Sequence, residues 1–158
     1  MLLAGSAEFS VLMVRRPPAG MFGDAWVFPG GVLDEADGSG QAGHRLAAVR
    51  ELEEEVGIDF DPEDLVYLSR WVTPITAAGK VLPRRYDTCF YLASLPEPLD
   101  VRPLTPEIAD ARFVTPAAAI DSHRSREWTI VLPTLAHLRW LEKQGSVSAA
   151  LAAAPMPT

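Results

Sequence analysis

Apolar and polar residues alternate along much of this chain with the two-residue period of β-strands. Segments that combine this pattern with β-branched and aromatic residues are predicted strands. They cover residues 1–4, 9–15, 25–28, 65–72, 86–93 and 112–114. A tight turn at Gly5 and Ser6 joins the first two, and four prolines between Pro96 and Pro106 mark a loop.

Helical spacing of apolar residues occupies the intervening and later segments. Residues 44–56 are a predicted helix, and Thr115 is a predicted cap for a helix that begins at Pro116. A C-terminal amphipathic helix is predicted from the apolar stripe of Leu135, Leu138, Trp140 and Leu141.

The order of these elements indicates an α/β or α+β protein. No linker divides the chain, so residues 1–145 are a predicted single domain. The remaining residues, 146–158, are rich in Ala, Pro and Ser and are a predicted flexible tail.

The helix at 44–56 carries an unusual set of charges. Glu51, Glu54 and Glu55 are spaced i, i+3 and i+4, which puts three carboxylates on one helical face. Their mutual repulsion disfavours the helix, whereas a divalent cation would remove it, since Mg²⁺ and Mn²⁺ prefer oxygen ligands. The alternative is a solvated acidic face with Arg50 paired to Glu54. Gly57 is the predicted C-cap.

The segment upstream of this helix favours the metal site. Residues 26–31 read Trp-Val-Phe-Pro-Gly-Gly, a buried strand that enters a glycine turn about twenty residues before the acidic run. A strand, a Gly-Gly loop and a carboxylate helix together indicate a site for a metal and a phosphate.

These residues resemble the signature of the Nudix hydrolases, G-x5-E-x7-R-E-U-x-E-E-x-G-U, where U is apolar. Its second half matches at Arg50, Glu51, Leu52, Glu54, Glu55, Gly57 and Ile58. Counted from Gly31, the first glutamate falls on Asp37, and twelve residues separate Asp37 from Arg50 where the signature has seven. We expect a lengthened loop at 38–43. Asp37, Glu35 and Asp34 all stay open as the counterpart of that glutamate.

Segments outside the signature resemble one branch of the superfamily. Residues 71–74 and 84–88, Trp-Val-Thr-Pro and Arg-Arg-Tyr-Asp-Thr, are similar to peroxisomal acyl-CoA diphosphatase-like proteins and their bacterial relatives. The similarity covers most of residues 8–142. It implies an α/β/α sandwich with a mixed sheet between helices, and hydrolysis of a diphosphate by water attack at phosphorus with Mg²⁺ or Mn²⁺.

The resemblance also implies roles for individual residues. Glu54 and Glu55 would be the principal metal ligands, Glu51 a further ligand or the base that orients water, and Arg50 a partner of these carboxylates. Gly31 would let the loop approach the metal or phosphate closely.

The other expected site residues lie outside the helix. Glu107 matches a late glutamate that reaches the metal site in many relatives; a surface carboxylate is the alternative. Arg84 and Arg85 would clamp substrate phosphate, or else balance nearby acids. Asp37 is the third residue expected on the substrate side.

The amino-acid composition limits the kinds of partner that we expect this protein to bind. Lys plus Arg number 14 against 21 for Asp plus Glu, a net charge of −7, which argues against a nucleic-acid polymer. Cys89 is the only cysteine and a predicted core residue. With no apolar run of membrane-spanning length, we expect a cytoplasmic protein with no membrane partner. A homodimer through exposed parts of the Leu135 stripe is a further expectation, and His44, His123 and His137 are expected at the surface or at helix ends.

Three functions compete. The first is a diphosphatase acting on CoA or acyl-CoA, and the second applies the same chemistry to ADP-ribose, NADH, a dinucleotide polyphosphate or an oxidised nucleotide. The third is a Nudix-fold regulator that binds a nucleotide without hydrolysing it. Because Glu51, Glu54 and Glu55 are all retained, we favour the enzyme.

Overall fold

A mixed β-sheet is the centre of the molecule. The computed structural model describes residues 1–6, 8–20, 22–73, 76–77, 80–81 and 85–155, with the backbone alone at 76–77 and 80–81. The strands are β1 (Leu2–Gly5), β2 (Phe9–Arg15), β3 (Ala25–Val27), β4 (Val66–Val72), β5 (Thr76–Ala77), β6 (Lys80–Val81), β7 (Asp87–Leu95), β8 (Asp110–Val114) and β9 (Thr129–Ile130). The helices are α1 (Gly40–Val56), α2 (Pro116–Arg124), α3 (Leu132–Gln144) and α4 (Val147–Ala153).

Seven strands form the main sheet in the order β4-β7-β1-β2-β3-β9, with β8 also paired to β2. The β1–β7 and β3–β9 pairs are parallel, whereas β2 is antiparallel to β1, β3 and β8. Strands β5 and β6 make a separate two-stranded ribbon.

The two faces of the sheet carry two cores. Alternate residues of β2 divide between them, so Leu12 and Val14 pack with Leu52 and Val56 of α1, while Met13 packs against α2, α3 and α4. This arrangement confirms the predicted α/β/α sandwich with a mixed sheet. The predicted strands all form, with ends that differ by one to two residues. The two-residue strands β5, β6 and β9 were not predicted, because they are too short to show a period.

Helix α1 begins at Gly40, so the predicted loop at 38–43 is partly helical. The small size of Gly43 explains why this segment is helical and not an open loop. A Cβ at Gly43 would lie 2.9 Å from the carbonyl carbon of Gly38. The first turn of α1 therefore packs directly on the segment that contains Asp37, which a larger residue at position 43 would prevent.

The C-terminal segment also differs from its prediction. The tail expected to be flexible contains α4, in which Ser146 Oγ accepts a hydrogen bond from Ala149 N at 3.1 Å and Val147 and Ala150 are buried. Leu135, Leu138 and Leu141 of the α3 stripe are buried inside the chain and Trp140 is partly buried, and the homodimer stays a prediction.

His137 was expected at the surface or at a helix end and is instead a buried residue in the middle of α3. Its Nε2 lies 2.7 Å from Ser69 Oγ and its Nδ1 2.6 Å from Pro133 O. Burial lowers its pKa. His123, at the end of α2, makes the expected helix-end contact with Trp128 O at 3.2 Å.

Cys89 is half-buried beside the core under α1, and burial raises the pKa of its thiol. None of the helices in the described ranges has the length and apolar character that crossing a membrane requires.

Candidate active site

Helix α1 lines a cleft with the carboxylates that the sequence singled out. Leu52 and Val56 fix the helix to the core, and Gly57 ends it in the left-handed conformation, with φ 74°. The cleft has a volume of about 420 Å³. Its lining consists of Asp34, Arg50, Glu51, Glu54, Glu55, Thr105 and Glu107.

Glu55 is the most buried of these carboxylates, with 3% of its side chain exposed. Its Oε2 accepts a hydrogen bond from Gly30 N at 3.1 Å. Its Oε1 has no hydrogen-bond partner in the described part of the chain. Burial raises the pKa of Glu55 to about 7, against the opposing effects of Arg16 and Gly30.

Gly31 accommodates the next carboxylate. A Cβ at Gly31 would lie 2.1 Å from Glu51 Oε1, so a larger residue would displace the Glu51 side chain. The pKa of Glu51 is raised by burial, and the hydrogen bond from Arg50 opposes this. Glycine at position 31 therefore lets the loop pack against the carboxylate.

Arg50 donates hydrogen bonds to three carboxylates, those of Asp37, Glu51 and Glu54. Its Nη1 donates to Glu51 Oε1 at 2.9 Å and to Glu54 Oε2 at 3.3 Å. Its Nη2 donates to Asp37 Oδ2 at 2.9 Å and to Val32 O at 3.1 Å, and its Nε to Asp37 Oδ1 at 3.2 Å. These neighbours raise the pKa of Arg50, which stays charged.

Of the three acids that stayed open for the first glutamate of the signature, Asp37 is the anchored one. It is buried, it accepts from Asp34 N at 2.9 Å, and the hydrogen bond from Arg50 lowers its pKa. Glu35 is exposed. Asp37 lies outside the cleft lining, contrary to its expected place beside the substrate, because Arg50 holds it; Asp34 lines the cleft instead.

Arg16 is the main residue that the sequence reasoning missed. It follows β2, and its Nη1 lies 3.7 Å from Glu55 Oε1 and 3.9 Å from Glu107 Oε2. Its Nη2 donates to Gly30 O at 3.3 Å. The only signal in the sequence was an arginine placed directly after a predicted strand.

Strand pairing brings Glu107 to the cleft. Strand β8 pairs with β2 in a register that matches Arg15 with Asp110, and Ala109 N donates to Arg15 O at 2.7 Å. The Glu107 side chain is 74% exposed, and its backbone N–H donates to Thr105 Oγ1 at 3.0 Å. Glu107 is thus an exposed carboxylate that lines the cleft, and its role as a metal ligand stays a prediction.

Arg84 falls outside the described residues, and Arg85 is exposed and is not part of the cleft lining. Two tryptophans pack against other rings of the chain. The ring centroids of Trp26 and Trp128 are 4.0 Å apart, and those of Trp71 and His137 are 5.8 Å apart.

The donor set fits a hard divalent cation. Among the described residues no three acidic, His or Cys side chains already converge on one point; the carboxylates pair instead with Arg16 and Arg50. However, every charged acceptor in the cleft is a carboxylate oxygen, and the buried Glu55 Oε1 lacks a hydrogen-bond partner. Such an oxygen is costly unless a cation balances it.

The sequence of this chain matches a known family and a known protein. The sequence pattern of the family described as the NUDIX domain matches residues 1–132. The chain is similar to nudix hydrolase 7 of Caenorhabditis elegans, with 26% identity over 99% of this chain and 67% of that protein.

Two solved structures share the fold. The NUDIX hydrolase from Alicyclobacillus acidocaldarius has a TM-score of 0.80 and 20% identity, covering 100% of this chain and 96% of that one. The NUDIX domain of Shewanella oneidensis NrtR, solved in complex with ADP ribose, has a TM-score of 0.67 and 16% identity, covering 90% of this chain and 82% of that one.

Proposed function

The chain belongs to the Nudix family and is a Nudix diphosphatase acting on nucleoside-diphosphate-linked compounds, and we propose that its substrate is CoA or acyl-CoA. The support for this substrate is the similarity of residues 71–74 and 84–88 to acyl-CoA diphosphatase-like proteins. The products would be 3′,5′-ADP and the corresponding phosphopantetheine.

The observation that carries the catalytic assignment is the Glu55 carboxylate, buried at the cleft with one oxygen that lacks a hydrogen-bond partner. Glu54 and Glu55 would be the principal ligands of Mg²⁺ or Mn²⁺, with Glu51 and Glu107 beside them. The bound metal would supply charge neutralisation for the diphosphate and a lowered pKa for water.

Side chains of the protein would orient the water and hold the carboxylates in position. Glu51, held by Arg50 and packed against Gly31, would orient the attacking water. Arg50 would keep Glu51 and Glu54 in position rather than contact the substrate. Arg84 and Arg85 are our proposed contacts for the substrate phosphate.

The test is a substrate panel with Mg²⁺ or Mn²⁺: CoA, acyl-CoA, ADP-ribose, NADH, diadenosine polyphosphates and oxidised dGTP. ADP-ribose belongs in it as the ligand of the NrtR domain. Products are identified by mass spectrometry for the parent, Glu54→Gln and Glu55→Gln, with Glu53→Gln as the matched control because Glu53 is exposed on the same helix.

We expect metal-dependent release of 3′,5′-ADP from CoA compounds, lost in Glu54→Gln and Glu55→Gln and kept in Glu53→Gln. Cleavage of ADP-ribose instead would replace the substrate and keep the site. Binding without cleavage of any compound would favour the regulator. Full activity in the Glu54 and Glu55 variants would reject the proposed ligands.

A further inference from the structure

Two arginines line or border the cleft, and they are held in very different ways. Arg50 donates five hydrogen bonds, from Nε, Nη1 and Nη2, at 2.9 to 3.3 Å. Arg16 donates one, to Gly30 O at 3.3 Å. Its guanidinium approaches Glu55 and Glu107 only to 3.7 and 3.9 Å, beyond hydrogen-bond length.

The loosely held arginine lies beside the oxygen that most needs a cation. Glu55 Oε1 is buried without a hydrogen-bond partner, and the one ion pair of Glu55 within the described ranges is with Arg16 Nη1. The same Nη1 is the atom near Glu107 Oε2. Arg16 thus balances charge at the point between two carboxylates where a divalent cation would also be attracted.

We propose that Arg16 is an exchangeable counter-ion of the active site. In the metal-free protein it pairs with Glu55 and Glu107; when Mg²⁺ or Mn²⁺ takes those carboxylates, its guanidinium passes to the diphosphate of the substrate. This inference rests on the proposed metal site, and it deepens the proposed function by naming the residue that binds the diphosphate.

The chemistry of Arg16 suits the second partner. A guanidinium matches the geometry of phosphate oxygens and can donate to them in pairs. The Arg16 side chain is 30% exposed, so it can reach a ligand in the cleft. Arg50 is unsuited to this role, because its donors are already bonded to Asp37, Glu51 and Glu54.

The exchange predicts that removing the positive charge at position 16 strengthens metal binding. Removing the charge at position 16 removes a competitor for Glu55, so Arg16→Gln should bind Mn²⁺ about fivefold more tightly, the factor expected for one ion pair. Arg16→Lys keeps the charge and should bind Mn²⁺ as the parent does. Arg15→Gln is the matched control, because Arg15 pairs with Asp24 and not with the cleft carboxylates.

Calorimetric titration with Mn²⁺ alone measures this, and thermal unfolding supplies a second readout. In EDTA, Arg16→Gln should melt below the parent because Glu55 has lost its counter-ion, and saturating Mn²⁺ should raise its Tm by more than that of the parent. Equal or weaker Mn²⁺ binding by Arg16→Gln would overturn the exchange.

The diphosphate half is tested with methylenediphosphonate, a diphosphate analogue that is not hydrolysed, at saturating Mn²⁺. We expect Arg16→Gln to bind it about tenfold more weakly than the parent, the loss typical of one charge-assisted contact, with Arg16→Lys in between. Unchanged analogue affinity in Arg16→Gln would remove the second half of the proposal.

These measurements separate the exchange from the proposed function. None of the three uses CoA, so a different substrate in the panel leaves them valid. Unchanged affinities in the variants would reject the exchange alone, whereas a parent protein that binds no Mn²⁺ would reject the metal site and the exchange together.

Discussion

The three carboxylates on the cleft side of α1 share one helical face but differ in burial. Glu54 is 55% exposed and Glu55 only 3%, because the Gly30–Gly31 loop covers the second and leaves the first open. Helical spacing predicts that both face one way. It does not reveal which of them the loop covers, and that difference is what raises the pKa of Glu55 to about 7.

The raised pKa predicts a pH dependence of stability in the metal-free protein. Glu55 shifts from its ordinary pKa of 4.5 to about 7 on folding. Its contribution to stability is therefore fully present below pH 4.5 and is lost as pH rises through about 7. The loss is on the order of 3 kcal/mol. Unfolding by urea in EDTA at pH 5 and pH 8 measures it.

In Glu55→Gln this part of the pH dependence should disappear, while Glu53→Gln should keep it, since Glu53 is exposed. If the free energy of unfolding changed equally between pH 5 and pH 8 in the parent and in Glu55→Gln, Glu55 would be ionised at no cost in the folded state.

A substitution at Gly31 tests the position of the Glu51 carboxylate. In Gly31→Ala the new Cβ would lie 2.1 Å from Glu51 Oε1, and the contact is with the end of a flexible side chain. Glu51 can move aside, so the fold should survive. The displaced carboxylate should lower kcat/KM by about 10²-fold.

Circular dichroism and steady-state kinetics check both halves of this prediction. Val32→Ala is the control, because Val32 is adjacent and exposed and contacts Arg50 through its carbonyl. Parent-like activity in Gly31→Ala would show that Glu51 is not needed at its observed position.

The turn before α1 is joined to the site by the ion pair between Asp37 and Arg50. Asp37 closes a 3-10 turn over Glu35–Asp37 and binds Arg50 with both oxygens. Because its pKa is lowered, the stabilisation is present above its ordinary value of 3.8 and is lost on acidification. The turn thus supports the arginine that holds Glu51 and Glu54.

We therefore expect Asp37→Asn to lower Tm by roughly 3–6 °C at pH 7 and to reduce kcat, because Arg50 loses an anchor. Glu35→Gln, an exposed acid of the same turn, should change neither. The reverse result, with Glu35 critical and Asp37 silent, would assign the first glutamate of the signature to Glu35.

The sequence predicts elements well where a period is long enough to read. The strands at 9–15 and 86–93, the helix ending at Gly57 and the cap at Thr115 all follow from local patterns, and the structure has them. It cannot predict contacts that depend on strand register. Arg16 meets Glu107 because β2 pairs with β8, and no local pattern in either segment encodes that pairing.

At the scale of the whole molecule, the cleft and the C-terminal helices lie on opposite faces of one sheet. The carboxylate helix α1 packs on Leu12 and Val14, whereas α4 packs with Leu3 and Met13 on the other face. The sheet therefore separates the residues that carry chemistry from the residues of α4. Changes to α4 should affect stability without affecting the site.

Removing α4 tests this separation. Val147 and Ala150 are buried, and Val147 N donates to Ser6 O at 3.2 Å. A chain that ends at Gly145 loses this packing, worth about 2 kcal/mol from the buried Val147 side chain alone. Its Tm should fall by roughly 4–8 °C, while Mn²⁺ affinity should stay at the parent value, because the cleft lining in the described ranges contains no residue of α4. An unchanged Tm would make the segment the dispensable tail that its composition suggests, and weakened Mn²⁺ binding would show that the two faces are coupled through the sheet.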